Sequence, residues 1–277
     1  MIALIRTEFV KATRRTRTLI IGALLVVLPA LITVAVKAGR NRAGRDNTDG
    51  LFRIAQQSGL LVPAAVLGAM SGFLLIVIAG TFAGDTVAGD AAWGNLRYLL
   101  MRPVPRGKLL VAKTIVAGML IWITTILVAV VGLIAGVILF GAHSVNIVSV
   151  TGGTANGFYL SSGALLLRLV IATAYVAFGY TALLAIGVLF STLTDVAAGA
   201  IAAAVGVYIV SEILDAITAI GQIRYALPTH YLVAWQSMFT QNSYPHDMVV
   251  GIFVQIVYLV VFGTAAMLWF RRKDIRS

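Results

Sequence analysis

Glu212 and Asp215 lie three residues apart, so on a helix they share one face. Two carboxylates in an otherwise apolar run are costly to insert into a membrane. They could relay a proton, gate a path or contact a cationic substrate. The plainer reading places both at the outer interface, solvated or paired with Arg224. The three histidines, His143, His230 and His246, are far apart and show no HExxH-like spacing, so no metal site is expected. The chain has no cysteine, which excludes disulfides, thiolate zinc ligands and thiol nucleophiles. It also has no GxxxxGK[ST], so it cannot cradle ATP through a P-loop. No residue is expected to be catalytic, and any use of ATP needs another polypeptide.

Composition decides what positions these residues. Of 277 residues, 60% are hydrophobic and only 11% are charged, and the mean hydropathy is +0.98. Soluble domains carry about 25% charged residues, so a chain this apolar must bury much of its surface in lipid. The net charge of +11 is explained by basic loops beside anionic head groups. No polar segment is long enough to hold a nucleic-acid groove, so no nucleic-acid partner is expected.

Six runs are apolar and long enough to span: Leu19 to Val36, Gly59 to Ala83, Thr114 to Phe140, Ala164 to Phe190, Val196 to Thr218, and Val249 to Phe270. Glu212 and Asp215 fall near the end of the fifth, and Arg168 near the start of the fourth, where it should snorkel to the head groups. Residues 1–18 are amphipathic. Ile2, Ile5, Phe9 and Ala12 share one face, with Lys11, Arg14 and Arg15 pointing away, as in an interfacial helix. Lys and Arg concentrate in the N-terminal stretch, in the connection between spans two and three, and in the tail, which together hold 14 of 21. The positive-inside rule puts these regions and both termini in the cytoplasm. The basic loop 37–58 then falls outside, against that rule. Residues 219–248 also fall outside. Their aromatics, interrupted by Pro228 and Pro245, suit re-entrant or interfacial helices. Glycine and alanine pairs spaced by four (Gly68/Gly72, Gly80/Gly84, Gly132/Gly136, Gly199/Ala203) predict close helix packing, mostly within the chain.

The cytoplasmic connection 84–113 is too apolar for a loose linker and too charged to span. Trp93, Leu96, Leu99 and Leu100 fall on one helical face, with Arg97 at its edge. Asp90 suits the positive end of a helix dipole. Pro103 ends the helix, and Arg106, Lys108 and Lys113 lead into the third span. Such a helix can rest on the membrane or plug into a partner, and composition does not choose.

The series Asp90, Gly94, Asn95, Leu96, Leu99, Leu100, Pro103, Arg106 and Lys113 resembles the signature of type-two ABC transporter permeases. Asp90 stands for the commoner Glu and Asn95 for Thr. The layout is similar too: an amphipathic N-terminus, six spans, and a re-entrant region before the last. The resemblance implies an all-α integral membrane protein, a single permease domain over 1–277. Its coupling helix, about Thr86 to Met101, would dock a separate ATPase subunit that binds ATP and Mg. A second permease copy or a homologous permease would complete a dimer in the cell membrane. The implied function is the substrate path of an ATP-driven exporter, with ATPase coupling through Asp90, Trp93, Gly94, Leu96, Arg97, Leu99, Leu100, Pro103, Arg106 and Lys113. The alternative is a proton-coupled secondary transporter using Glu212 and Asp215, which would need a mid-membrane acid and usually an internal repeat.

Overall fold

The computed structural model describes residues 1–40, 50–92, 105–151, 154–240 and 245–272. Helix α1 (Ile2–Thr13) turns into α2 (Thr16–Arg40). A short α3 (Gly50–Ala55) precedes α4 (Val62–Ser71) and α5 (Leu74–Gly84), and α6 (Ala88–Ala92) follows. The long α7 (Arg106–Phe140) leads to strands β1 (Val145–Thr151) and β2 (Thr154–Leu160). Then come α8 (Ser162–Gly179), α9 (Thr181–Leu193) and α10 (Ala197–Ala216). Two 3₁₀ turns (Thr218–Ala226 and Ala234–Gln236) and α11 (Ser237–Thr240) precede α12 (His246–Arg272).

Among the described residues, five helical stretches are long and apolar enough to cross a membrane, six when the pair α4–α5, bent by 58°, is taken as one broken span. The chain is therefore a multi-pass membrane protein. The expected second span is not one straight helix. It breaks at Ser71–Gly72–Phe73, a small-residue pair of the kind that kinks helices. The fourth breaks where α8 meets α9, at Tyr180.

A break frees backbone groups that lipid cannot satisfy, and buried side chains close each one. The Tyr180 hydroxyl donates to the Ser71 carbonyl at 2.8 Å. The Tyr208 hydroxyl donates to the Gly179 carbonyl at 2.9 Å. The Gln255 amide oxygen accepts from the Ala182 N–H at 2.9 Å, while its NH₂ donates to the Pro228 carbonyl at 2.7 Å.

The glycine pairs separate by role. A Cβ on Gly84 would come within 2.8 Å of the Ile201 backbone, and one on Gly80 within 2.4 Å of the Val205 side chain, so α5 and α10 meet almost backbone to backbone. A Cβ on Gly136 would lie 2.4 Å from the Gly59 carbonyl oxygen. Gly72 and Gly206 face nothing within 4 Å, and Gly199 meets only Val196 of its own helix, at 3.9 Å.

The helical membrane architecture expected from the sequence stands, with one short addition: β1 and β2 form an antiparallel hairpin, Val145 opposite Leu160 through Thr151 opposite Thr154. The β-branched residues of VNIVSVT explain why this stretch extends, but they sit in a loop that the search for spans passed over. Arg168 does not snorkel outward. It is buried at 7% exposure and donates to the Met238 carbonyl, pinning α11 against α8. Trp235, Met238 and Phe239 are fully buried, so the segment after the first 3₁₀ turn packs into the bundle. The Tyr175 hydroxyl adds a bond to the Tyr231 carbonyl at 2.7 Å.

A buried ionic network at one end of the bundle

Helix α1 packs along α7 through Ile5, Phe9 and Ala12, which lie half-buried against the core. The face expected to point away does not do so entirely. Lys11 and Arg15 turn into the protein, because two carboxylates wait there. Asp85 caps the end of α5 and Asp90 sits in α6, at 7% and 1% exposure.

Lys11 Nζ contacts Asp90 Oδ1 at 2.6 Å, and Arg15 reaches the same oxygen at 3.4 Å. Arg15 and Arg17 both pair with Asp85 Oδ2. Lys113, only 6% exposed, pairs with Asp90 Oδ2 and with Glu8 Oε2 at 2.8 Å. Four cations thus meet three carboxylates, and the cluster ties α1 and α2 to α5, α6 and α7.

The local sequence builds it. The GDTVAGD run turns the chain sharply after α5, and Ser191 Oγ accepts from both Val87 N–H and Ala88 N–H at 2.9 Å. Gly89 leaves room for the Asp85 carboxylate, since a Cβ there would lie 2.3 Å from its oxygen. Arg15 and Arg17 flank Thr16, the first residue of α2. Burial by itself would push the Asp90 carboxyl up. The Lys113 and Lys11 ammoniums outweigh burial and hold it below its usual value. Asp90 is therefore a carboxylate at neutral pH, and each partner keeps it so.

The residues expected to couple to an ATPase divide by location. Asp90 and Lys113 meet in this network. Arg106 opens α7, behind Pro105. Trp93, Gly94, Leu96, Arg97, Leu99, Leu100 and Pro103 lie outside the described residues. Glu8, Lys11, Arg15, Arg17 and Asp85 were not expected as partners. The readable signal was charge complementarity: two acids in an apolar connection on the side where five basic residues of the N-terminus lie.

Met1 and the last turn of α12 lie near this end of the bundle: both border the start of α7, where a Cβ on Gly107 would lie 3.5 Å from the guanidinium of Arg271. At the opposite end Glu212 and Asp215 sit half-exposed on the last turn of α10. Asp215 is engaged by His230 Nδ1 at 2.5 Å and Arg224 Nε at 3.4 Å, and the pairing with Arg224 is the plainer of the two expected readings. Glu212 makes no ion pair among the described residues. No cluster of His, Cys, Asp and Glu among the described residues could hold a metal. A cavity of about 430 Å³ is lined by Leu51, Phe52, Ala65, Gly68, Ala69, Gln236, Ser237 and Thr240, between α3, α4 and α11.

Comparison with curated proteins returned no match. The model of the family described as ABC-2 family transporter protein matches residues 2–275, which takes in the bent and broken spans and the whole ionic network. With nearly the full length covered, the chain belongs to the ABC-2 family of transporter membrane proteins, and its place is that of an ABC-type permease.

Proposed function

We propose that this chain is the transmembrane subunit of an ATP-driven exporter and that a separate ATPase subunit docks on the connection between α6 and α7. The observation that carries the reading is the ionic network. Asp90 stands just before residues 93–104 and Lys113 about two turns into α7 beyond them, and the two side chains are paired to each other. A push on the connection therefore reaches α1, α5 and α7 together, through groups that are costly to separate in a buried setting.

By their sequence pattern Trp93, Leu96, Leu99 and Leu100 are the apolar docking contacts, with Gly94, Arg97 and Pro103 as their neighbours in the motif. Asp90, Arg106 and Lys113 brace its roots. The partner supplies the ATP and Mg site, because this sequence has no P-loop. Two permeases, alike or homologous, enclose the path. The clustered basic residues put the network and both termini in the cytoplasm of a cell-membrane protein. The mixed apolar and amide or hydroxyl lining of the 430 Å³ cavity favours an amphipathic substrate, and Glu212 with Asp215 stands near that outer end as a gate.

The test is affinity purification of the tagged chain in mild detergent, with mass spectrometry of what accompanies it. An ATPase subunit should copurify with the native chain and be lost from the Leu96→Asp, Leu100→Asp double variant while that variant still inserts. Absence of any ATPase from the native chain under several gentle conditions overturns the reading.

A further inference from the structure

Beside the ionic network, between α1, α2, α5 and α7, lies a cavity of about 50 Å³. One ordered water needs roughly 10–15 Å³ on this measure, so the space suits one small polyatomic group. Its two walls differ in kind. Arg15 and Arg17 line the charged side together with the network's other charges, the carboxylates Asp85 and Glu8 included, while Phe82, Ala117 and Leu120 form an apolar side.

The charges do not balance. The network holds four cations against three carboxylates. The Nε–H of Arg17 is buried with no acceptor among the described residues. A buried guanidinium donor without an acceptor is costly, and one more anion would satisfy both the donor and the charge. Arg17 opens the first span, so the cavity lies at head-group depth.

We propose that this cavity binds the phosphate of an anionic phospholipid from the adjacent leaflet. The phosphate accepts from Arg17 Nε–H and faces Arg15, while the glycerol and acyl chains stay outside the cavity, in the leaflet beside the first span. The proposal needs only the membrane location of the chain, not its coupling to an ATPase. A free phosphate shares the head-group chemistry, and the cavity's place at the start of the first span favours the lipid.

The test is native mass spectrometry of the full chain in neutral detergent with phosphatidylglycerol, phosphatidylcholine or inorganic phosphate, read beside thermal unfolding. Wild type should retain phosphatidylglycerol over phosphatidylcholine and be stabilised by it. Arg17→Gln should lower retention about fivefold, the worth of one basic contact to an anionic lipid. Arg14→Gln, exposed and outside the cavity, should leave retention unchanged. Equal losses from Arg14→Gln and Arg17→Gln would mean diffuse surface attraction and overturn the site. Equal stabilisation by millimolar inorganic phosphate would overturn the lipid assignment. Should Arg17→Gln fail to fold, Arg17→Lys is read instead: it keeps the charge beside Asp85 and lacks the Nε–H, so retention equal to wild type overturns the proposal.

Discussion

Replacing Lys113 by Met removes the only cation among the described residues that touches both Asp90 and Glu8. Asp90 is 1% exposed and Lys113 6%, so solvent cannot take over the lost contact. Breaking a buried pair by deleting one partner costs about 3–5 kcal/mol. Lys11 still reaches Asp90 at 2.6 Å, which places the expected loss at the lower end, about 3 kcal/mol. For a chain of this size that corresponds to roughly 6–12 °C in Tm. Asp90→Asn with Lys113→Met removes both charges and leaves less uncompensated, so the double variant should fall short of the sum of the singles by about 1–3 kcal/mol. The assay is thermal unfolding in one detergent, followed by tryptophan fluorescence across the four proteins of the cycle. A loss below about 0.5 kcal/mol for Lys113→Met, the size of an ordinary surface change, would refute the reasoning. So would strict additivity in the double variant.

Two further outcomes follow from the same geometry. The folded chain holds the Asp90 carboxyl below its unfolded value of 3.8, so the native state binds fewer protons there. The stability contributed by Asp90 should be fully present above that value and be lost as pH falls through the lower folded value. Unfolding scans from pH 7 to pH 3 should show a constant gap between wild type and Asp90→Asn down to about pH 5, narrowing only below about pH 4. At the α5–α10 contact, Gly84→Ala puts a Cβ within 2.8 Å of the Ile201 backbone and should cost about 1–3 kcal/mol by overpacking. Gly199→Ala, whose Cβ meets only Val196 of its own helix at 3.9 Å, should stay within about 0.5 kcal/mol in the same melts.

Much of this architecture was written in the apolar runs, because a span needs length and hydrophobicity and little else. The bends were not. Leu60 to Gly84 is apolar throughout, and hydropathy averages over Ser71 and Gly72 without registering that the helix turns there. Likewise Tyr180 looks like any aromatic in the fourth run. Its role appears only once its hydroxyl meets the Ser71 carbonyl, far away in sequence. The hairpin escaped for the opposite reason: its alternation is short and lies between two strong helical signals. At the network, the resemblance singled out Asp90 and Lys113, since both fall inside the motif. It could not supply Glu8 and Lys11 of α1, nor Arg15 and Arg17 at the junction with α2, in a stretch whose amphipathic pattern reads equally well as lying on lipid. Only the charge of Lys11, Arg15 and Arg17, opposite to that of Asp85 and Asp90 about 70 residues on, could have turned that face inward.

The chain has no cysteine, which permits the most direct test of where the ATPase docks. Single cysteines at Arg97, in the connection between α6 and α7, and at Tyr225, 58% exposed at the opposite end, would each carry a short photo-crosslinking label in the copurified complex. The account predicts a covalent adduct with the ATPase subunit from Arg97→Cys and none from Tyr225→Cys. An adduct from Tyr225→Cys, or none from Arg97→Cys while the ATPase stays bound, would contradict it.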